Sequence, residues 1–229
     1  MYETTGSSDD SVEKYGWTSV PHDQSVLLQG VSPWDPADYT IAQMPFPESA
    51  GELTSKVASR AIAQKHLPSF LPSMETYYLA CLLHDIGTTE ENLHSTHLSF
   101  EFYGGYLALT LLQEYGAPKE QAESVAEAII RHQDLGDVGN ITTVGQLIQL
   151  ATLFDNVGGN PTLISKGTIE TVVAYYPRGN WSSCFSHVIG EELKLKPWAH
   201  SSAIPKFAET VANNKLMEPW DKEKSSQKS

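Results

Sequence analysis

METYYLACLLHDIG, Met74 to Gly87, carries the reading on which the fold turns. Met74, Tyr77, Tyr78, Cys81 and Leu82 recur at three- and four-residue spacing, the period of an amphipathic helix rather than of a strand. Ser73 offers an N-cap, Glu75 falls in the first turn and Gly87 supplies a stop. The helix ends on chemistry: His84 lies one turn after Ala80, and Asp85 one turn after Cys81, so both project from the inner side. Neighbouring helical residues differ in direction by about 100°, yet long side chains can converge beyond a helix end.

Working outward, three more helices follow the same period. Thr96 is placed to cap one that runs to about Tyr115, with Gly104 and Gly105 marking a close approach of a neighbouring backbone. Pro118 suits the first turn of the next, whose stripe of Ala122, Val125, Ala126, Ile129 and Ile130 leads up to Arg131 and His132. A further helix begins at Thr142 or Thr143 and stops at Gly158-Gly159. Beyond Asn160 the periodicity weakens, leaving helix candidates at 168–176, 186–195 and 204–217. No long stretch of this region alternates with period 2, so the expected class is all-α. The four prolines between Tyr15 and Pro47 suit an irregular N-terminal arm laid across the domain, with Trp17 and Trp34 as its anchors. Residues 1–14 and 221–229 hold almost nothing to bury and are expected to be disordered, which leaves one domain over 15–220.

The 229 residues carry 15 Lys and Arg against 28 Asp and Glu, a formal net charge of −13 that repels nucleic-acid phosphates and anionic membrane surfaces. Only Arg60, Arg131 and Arg178 could grip a phosphate in bidentate fashion. Cys81 and Cys184 are too few for a disulfide scaffold, and no apolar run reaches the roughly 20 residues of a membrane span. The expected setting is cytoplasmic, with neither nucleic acid nor membrane as partner. Aromatic residues in the C-terminal third suit a homo-oligomeric surface.

Burial of a lone charge is costly without a partner or a metal, so ionisable residues on apolar faces carry the functional signal. Three helices present them. His84 and Asp85 close the first; His132 follows Val125 and Ala128 on one face; Asp155 is the one polar member of the stripe Val144, Ile148, Ala151, Asp155. Imidazole and carboxylate from separate helices are what a first-row divalent ion uses. Spacing alone leaves the alternatives open: His84 as a hydrogen-bonded core residue, His132 as a partner of its helix dipole, and Asp155 as a cap or the partner of a cation.

Four runs then add a resemblance. CLLHDIGTTEE (Cys81 to Glu91), LSFEFYGG (Leu98 to Gly105), AEAIIRHQD (Ala126 to Asp134) and GNITTVGQLIQLATLFDNVG (Gly139 to Gly158) closely resemble the fungal cyanamide hydratases of the HD-domain superfamily. YGWTSVP near the start, with KPWAH and LMEPW near the end, extends the match over most of Tyr15 to Trp220. The resemblance implies an all-α HD-domain helical bundle holding one Zn²⁺ and adding water to a small neutral nitrile, cyanamide, to give urea. It implies His84, Asp85 and Asp155 as metal ligands, and His132, with Asp85, in proton handling.

The family also has an earlier histidine ligand in an Asn-His-Ser run, and this sequence has none. A block of about one helix is missing at the join of Val57 and Ala58, and His66, the nearest histidine, aligns past the absent ligand. Two rival functions stand beside the hydratase. A nucleotide phosphohydrolase would want several Lys or Arg near the metal, where the motif region offers only Arg131. An inactive truncated paralogue is the reading the missing block favours.

Overall fold

A computed structural model of the chain describes residues 14–28 and 74–221. Trp34, the join at Val57 and Ala58, His66, Ser73 and most of both tails lie outside these residues. Within them the chain runs β1 (Ser19–Pro21), α1 (Gln24–Leu27), α2 (Met74–Leu83), α3 (Glu90–His94), α4 (Phe100–Glu114), α5 (Lys119–Arg131), β2 (Asn140–Thr142), α6 (Thr143–Thr152), α7 (Lys166–Tyr175), α8 (Trp181–Leu195) and α9 (Phe207–Ala212). The class is all-α, as expected. The strands are a local exception, a short antiparallel ladder that pairs Val20 with Ile141.

α6 is the central post. All ten of its residues are buried, so it must be enclosed on every side. α5 packs against α2, α4 and α6, and Val125, Ala128 and Ile129 meet Val144, Leu147 and Ile148 in one apolar core. Thr142 caps α6 by accepting a hydrogen bond from the Gly145 amide at 3.1 Å. Past Thr152 the helix widens into a π-turn over Leu153–Val157 and ends at Gly158, whose φ of 72° lies in the left-handed region.

Several boundaries differ from the sequence reading. α4 starts at Phe100, after the separate short helix α3, rather than at Thr96. Pro118 is the N-cap of α5, one residue before its first turn. α8 begins at Trp181, five residues early, and the candidate at 204–217 shrinks to Phe207–Ala212. Pro205 and the positive φ of Lys206 hold the earlier part out of the helix. Residues 15–28 lie across the domain as expected of the arm but are not irregular, since they hold β1 and α1: the Trp17 indole N–H donates to the Glu120 carbonyl at 3.0 Å, and the Ser124 hydroxyl donates to the carbonyl of Tyr15.

Two contacts set α4 against the end of α2. A Cβ on Gly87 would stand 2.1 Å from the Phe100 carbonyl oxygen, so only glycine lets the two backbones touch. Ser99 makes no side-chain cap on α4. The Phe100 amide instead donates to Glu192 of α8 at 2.7 Å. Glu192, fully buried, also accepts from the Ser201 hydroxyl at 2.7 Å and pairs with buried Lys196 at 3.4 Å. Lys196 in turn donates to the carbonyls of Leu93 and Leu98. Glu192→Leu therefore strands a buried ammonium group, and we predict a loss of about 3–5 kcal/mol in equilibrium urea unfolding. Glu192→Gln, which keeps the shape and one acceptor oxygen, is predicted to lose less.

Candidate metal centre

The backbone turns out of α2 at Leu83, and His84 and Asp85 follow at once, buried. Nδ1 of His84 lies 2.9 Å from the Cys81 carbonyl, which can only accept, so Nδ1 carries a proton and Nε2 is the atom turned to the site. The same logic holds at the end of α5, where Nδ1 of His132 lies 2.6 Å from the Ile129 carbonyl. Both Nε2 atoms look at one carboxylate: His84 stands 3.2 Å from Asp85 Oδ2 and His132 stands 3.7 Å from Asp85 Oδ1. The two imidazole rings meet edge to face at 5.4 Å, and Phe100 closes over His132 at 5.8 Å.

Burial opposes ionisation of Asp85, yet a protonated His84 at its Nε2, with His132 nearby, outweighs it and holds the carboxyl below its usual pKa, so an ion bound at these atoms would replace the His84 Nε2 proton. Burial lowers the pKa of His132 and prevails over the pull of Asp85, favouring the neutral ring. Neither Asp85 oxygen, both buried, accepts a hydrogen bond. With the Nε2 proton released, a charged carboxylate facing two ring lone pairs suits a cation, and the Nδ1–H bonds to backbone carbonyls leave both Nε2 atoms turned to the site as in histidines that ligate metal. The donor set therefore fits a divalent ion at His84 and Asp85. Among the described residues no three metal-binding side chains stand close enough to complete a shell.

Asp155 occupies the π-turn, buried as its stripe requires. Its carboxylate bonds Arg178, a buried guanidinium that also donates to Asp221 at 2.7 Å. This is the cation-partner reading of Asp155 realised, and a metal role would have it share its carboxylate with Arg178. Arg178 lies in the loop after α7, where no periodicity announced it.

Two further residues escaped the sequence reading. Glu101 is fully buried on α4, and its Oε1 is 2.6 Å from Nδ1 of His200, while its Oε2 has no hydrogen-bond partner. The spacing 101, 104, 105, 108 would have shown that Glu101 lies on the buried stripe. His200 had no pattern around it; the fold brings it in from 99 residues away to stack on Phe102 at 5.6 Å. Beside His132 opens a cavity of about 190 Å³.

The HD domain family pattern matches residues 54–156. Two relatives from Saccharomyces cerevisiae, the cyanamide hydratases DDI2 and DDI3, are each 36% identical over 209 positions, covering 84% of this chain and 93% of theirs. Since 84% of 229 residues is about 192, about 17 of the 209 aligned positions have no residue here. HD domains are metal-dependent, in keeping with the donor set at His84 and Asp85.

The hydrogen bond to Glu101, working against partial burial, raises the pKa of His200 above the ordinary imidazole value. Stabilisation from that pair is complete below about pH 6.5 and fades as pH rises through the raised value. The gap in urea-unfolding midpoint between the wild type and His200→Asn is thus predicted to be widest in mild acid and to close at alkaline pH. A gap that widened with pH would contradict this.

Proposed function

Because the chain belongs to the cyanamide hydratase-like HD-domain family, we propose that it adds water across the nitrile of cyanamide to give urea. One observation carries the reading: the buried Asp85 carboxylate, without hydrogen bonds, between the Nε2 atoms of His84 and His132. We assign His84 and Asp85 to a single Zn²⁺, with Asp155 added by resemblance. When bound, such an ion supplies Lewis-acid polarisation and acidifies water toward neutrality.

The residues do the rest. Hydration forms a carbon–oxygen bond and moves both water protons from that oxygen to the nitrile nitrogen, the first transfer giving isourea and the second urea. Nε2 of His132 is the atom suited to these transfers, because Nδ1 is committed to the Ile129 carbonyl. A neutral ring can take a proton at physiological pH, and burial favours that form. The Ile129 carbonyl orients the ring through Nδ1, and Phe100 packs against it at 5.8 Å.

A phosphohydrolase finds less support. Arg131 is bonded to Asp134 and the Asn140 carbonyl, and Arg178 to Asp155 and Asp221, so both already serve carboxylates, and the Nη2 of Arg178 that stands without a partner is buried. A second reading does have an observation behind it. The shortfall of about 17 aligned positions would, in one block, have the length of a helix of about 25 Å, and it supports an inactive paralogue lacking the segment with the upstream histidine ligand.

Urea release from cyanamide by the zinc-supplemented full chain separates the readings. The hydratase is expected to release urea, His84→Ala to abolish release, and His132→Ala to lower kcat by about 10²–10⁴. Undiminished release in His84→Ala would reject the metal role, and no release from the wild type would leave the inactive paralogue.

A further inference from the structure

The two oxygens of Asp155 are not alike. Oδ1 is taken by Arg178, whose side chain is wholly buried. Oδ2 has no hydrogen-bond partner among the described residues and, unlike both oxygens of Asp85, is not sealed off: it belongs to the 3% of the side chain that stays exposed. The main chain of the residue is pinned as well, because the Asn214 side-chain amide donates to the Asp155 carbonyl at 2.7 Å. Asp155 also stands near enough to His84 for their charges to interact.

Behind Asp155 the network continues away from the site. Arg178 donates through Nε to Asp221 Oδ1 at 2.7 Å, and Asp221 Oδ2 accepts from the Ser182 hydroxyl of α8. Two carboxylates and a guanidinium taken out of water bring little net stability over apolar side chains of the same volume, so the arrangement asks for another use.

We propose that Arg178 is the positioning residue of Asp155 as a metal ligand: it holds Oδ1, so that Oδ2 is the oxygen an ion meets, and Asp221 holds Arg178 in that task. This rests on the metal reading of His84, Asp85 and Asp155. A carboxylate free to turn about its Cβ–Cγ bond presents either oxygen or both, whereas one bonded to a fixed guanidinium presents a single oxygen in one direction. Arginine suits the task because its planar fork serves two carboxylates at once, which the point charge of a lysine does not. Hydrogen-bonded partners of ligating side chains set metal affinity by about 10–100-fold.

The test is the zinc affinity of the full chain, measured by competition with a chromophoric chelator, in a double-mutant cycle of Arg178→Met and Asp155→Asn. Arg178→Met is expected to weaken zinc binding by about tenfold or more in the wild-type background. In the Asp155→Asn background the same change is expected to cost about twofold at most, because Arg178 acts through that carboxylate. The visible d–d bands of the Co²⁺-loaded chain, which report donor geometry, are expected to change in Arg178→Met and to stay put when it is added to Asp155→Asn. If Arg178→Met fails to unfold cooperatively in urea, Asp221→Asn, which keeps its shape and loosens Arg178 from one side, replaces it in the cycle with the same pattern expected. No loss of affinity, or an equal loss in both backgrounds as a structural role would give, overturns the proposal. Tighter zinc binding in Arg178→Met, meaning that Arg178 competes with the ion for Asp155, also overturns it. A wild type with no zinc affinity overturns it together with the metal reading, while wild-type binding without coupling overturns it alone. The readout needs no turnover: coupled zinc binding without urea release from cyanamide keeps the positioning role and removes the hydratase reading.

Discussion

Asp85 is a carboxylate in a dry place, and the rest of the structure is arranged around that cost. Its oxygens face the Nε2 atoms of His84 and His132, whose Nδ1 protons are bonded to the carbonyls of Cys81 and Ile129. A buried carboxylate held only by imidazole would be an unusual device in an inert core. The helices meet so as to create this spot. α2 delivers the His-Asp pair at its end, α5 delivers His132 at its own, and α6 fills the space behind with ten buried residues.

The site is braced from a distance. α4 would slide if the Gly87 backbone did not touch Phe100, and its first amide would lack a partner without Glu192. Because Phe100 closes over His132, the buried Glu192–Lys196 pair on α8 helps to fix the wall of the site. Arg178 performs a similar task on the other side. It ties Asp155 of the π-turn to Asp221, which also accepts from the Ser182 hydroxyl, so the C-terminal stretch holds the turn that follows the central helix.

Much of this was legible in the sequence, for reasons that differ by element. The period running through Tyr77 and Cys81 carried straight on to His84 and Asp85, and the stripe from Val144 carried on to Asp155, so the inward direction of these side chains followed from helix geometry alone. The identity of Asp155's partner did not, since Arg178 sits in a loop and reaches it across 23 residues. The β1–β2 ladder was illegible because three-residue strands hold too little alternation and their pairing joins residues more than a hundred positions apart. Glu101 was readable from its spacing with Gly104, Gly105 and Ala108, whereas the free Oδ2 of Asp155 depends on which neighbours fail to arrive, a fact no periodicity encodes.

The account stands on a cation at His84 and Asp85, and zinc content per chain tests it most directly. The full chain should be purified without a polyhistidine tag and without added metal, next to Asp85→Asn, which keeps the shape of the side chain and removes its charge. A value near one equivalent for the wild type, falling toward zero in Asp85→Asn, is the predicted result. A value near zero in the wild type, or one untouched by the substitution, would contradict it.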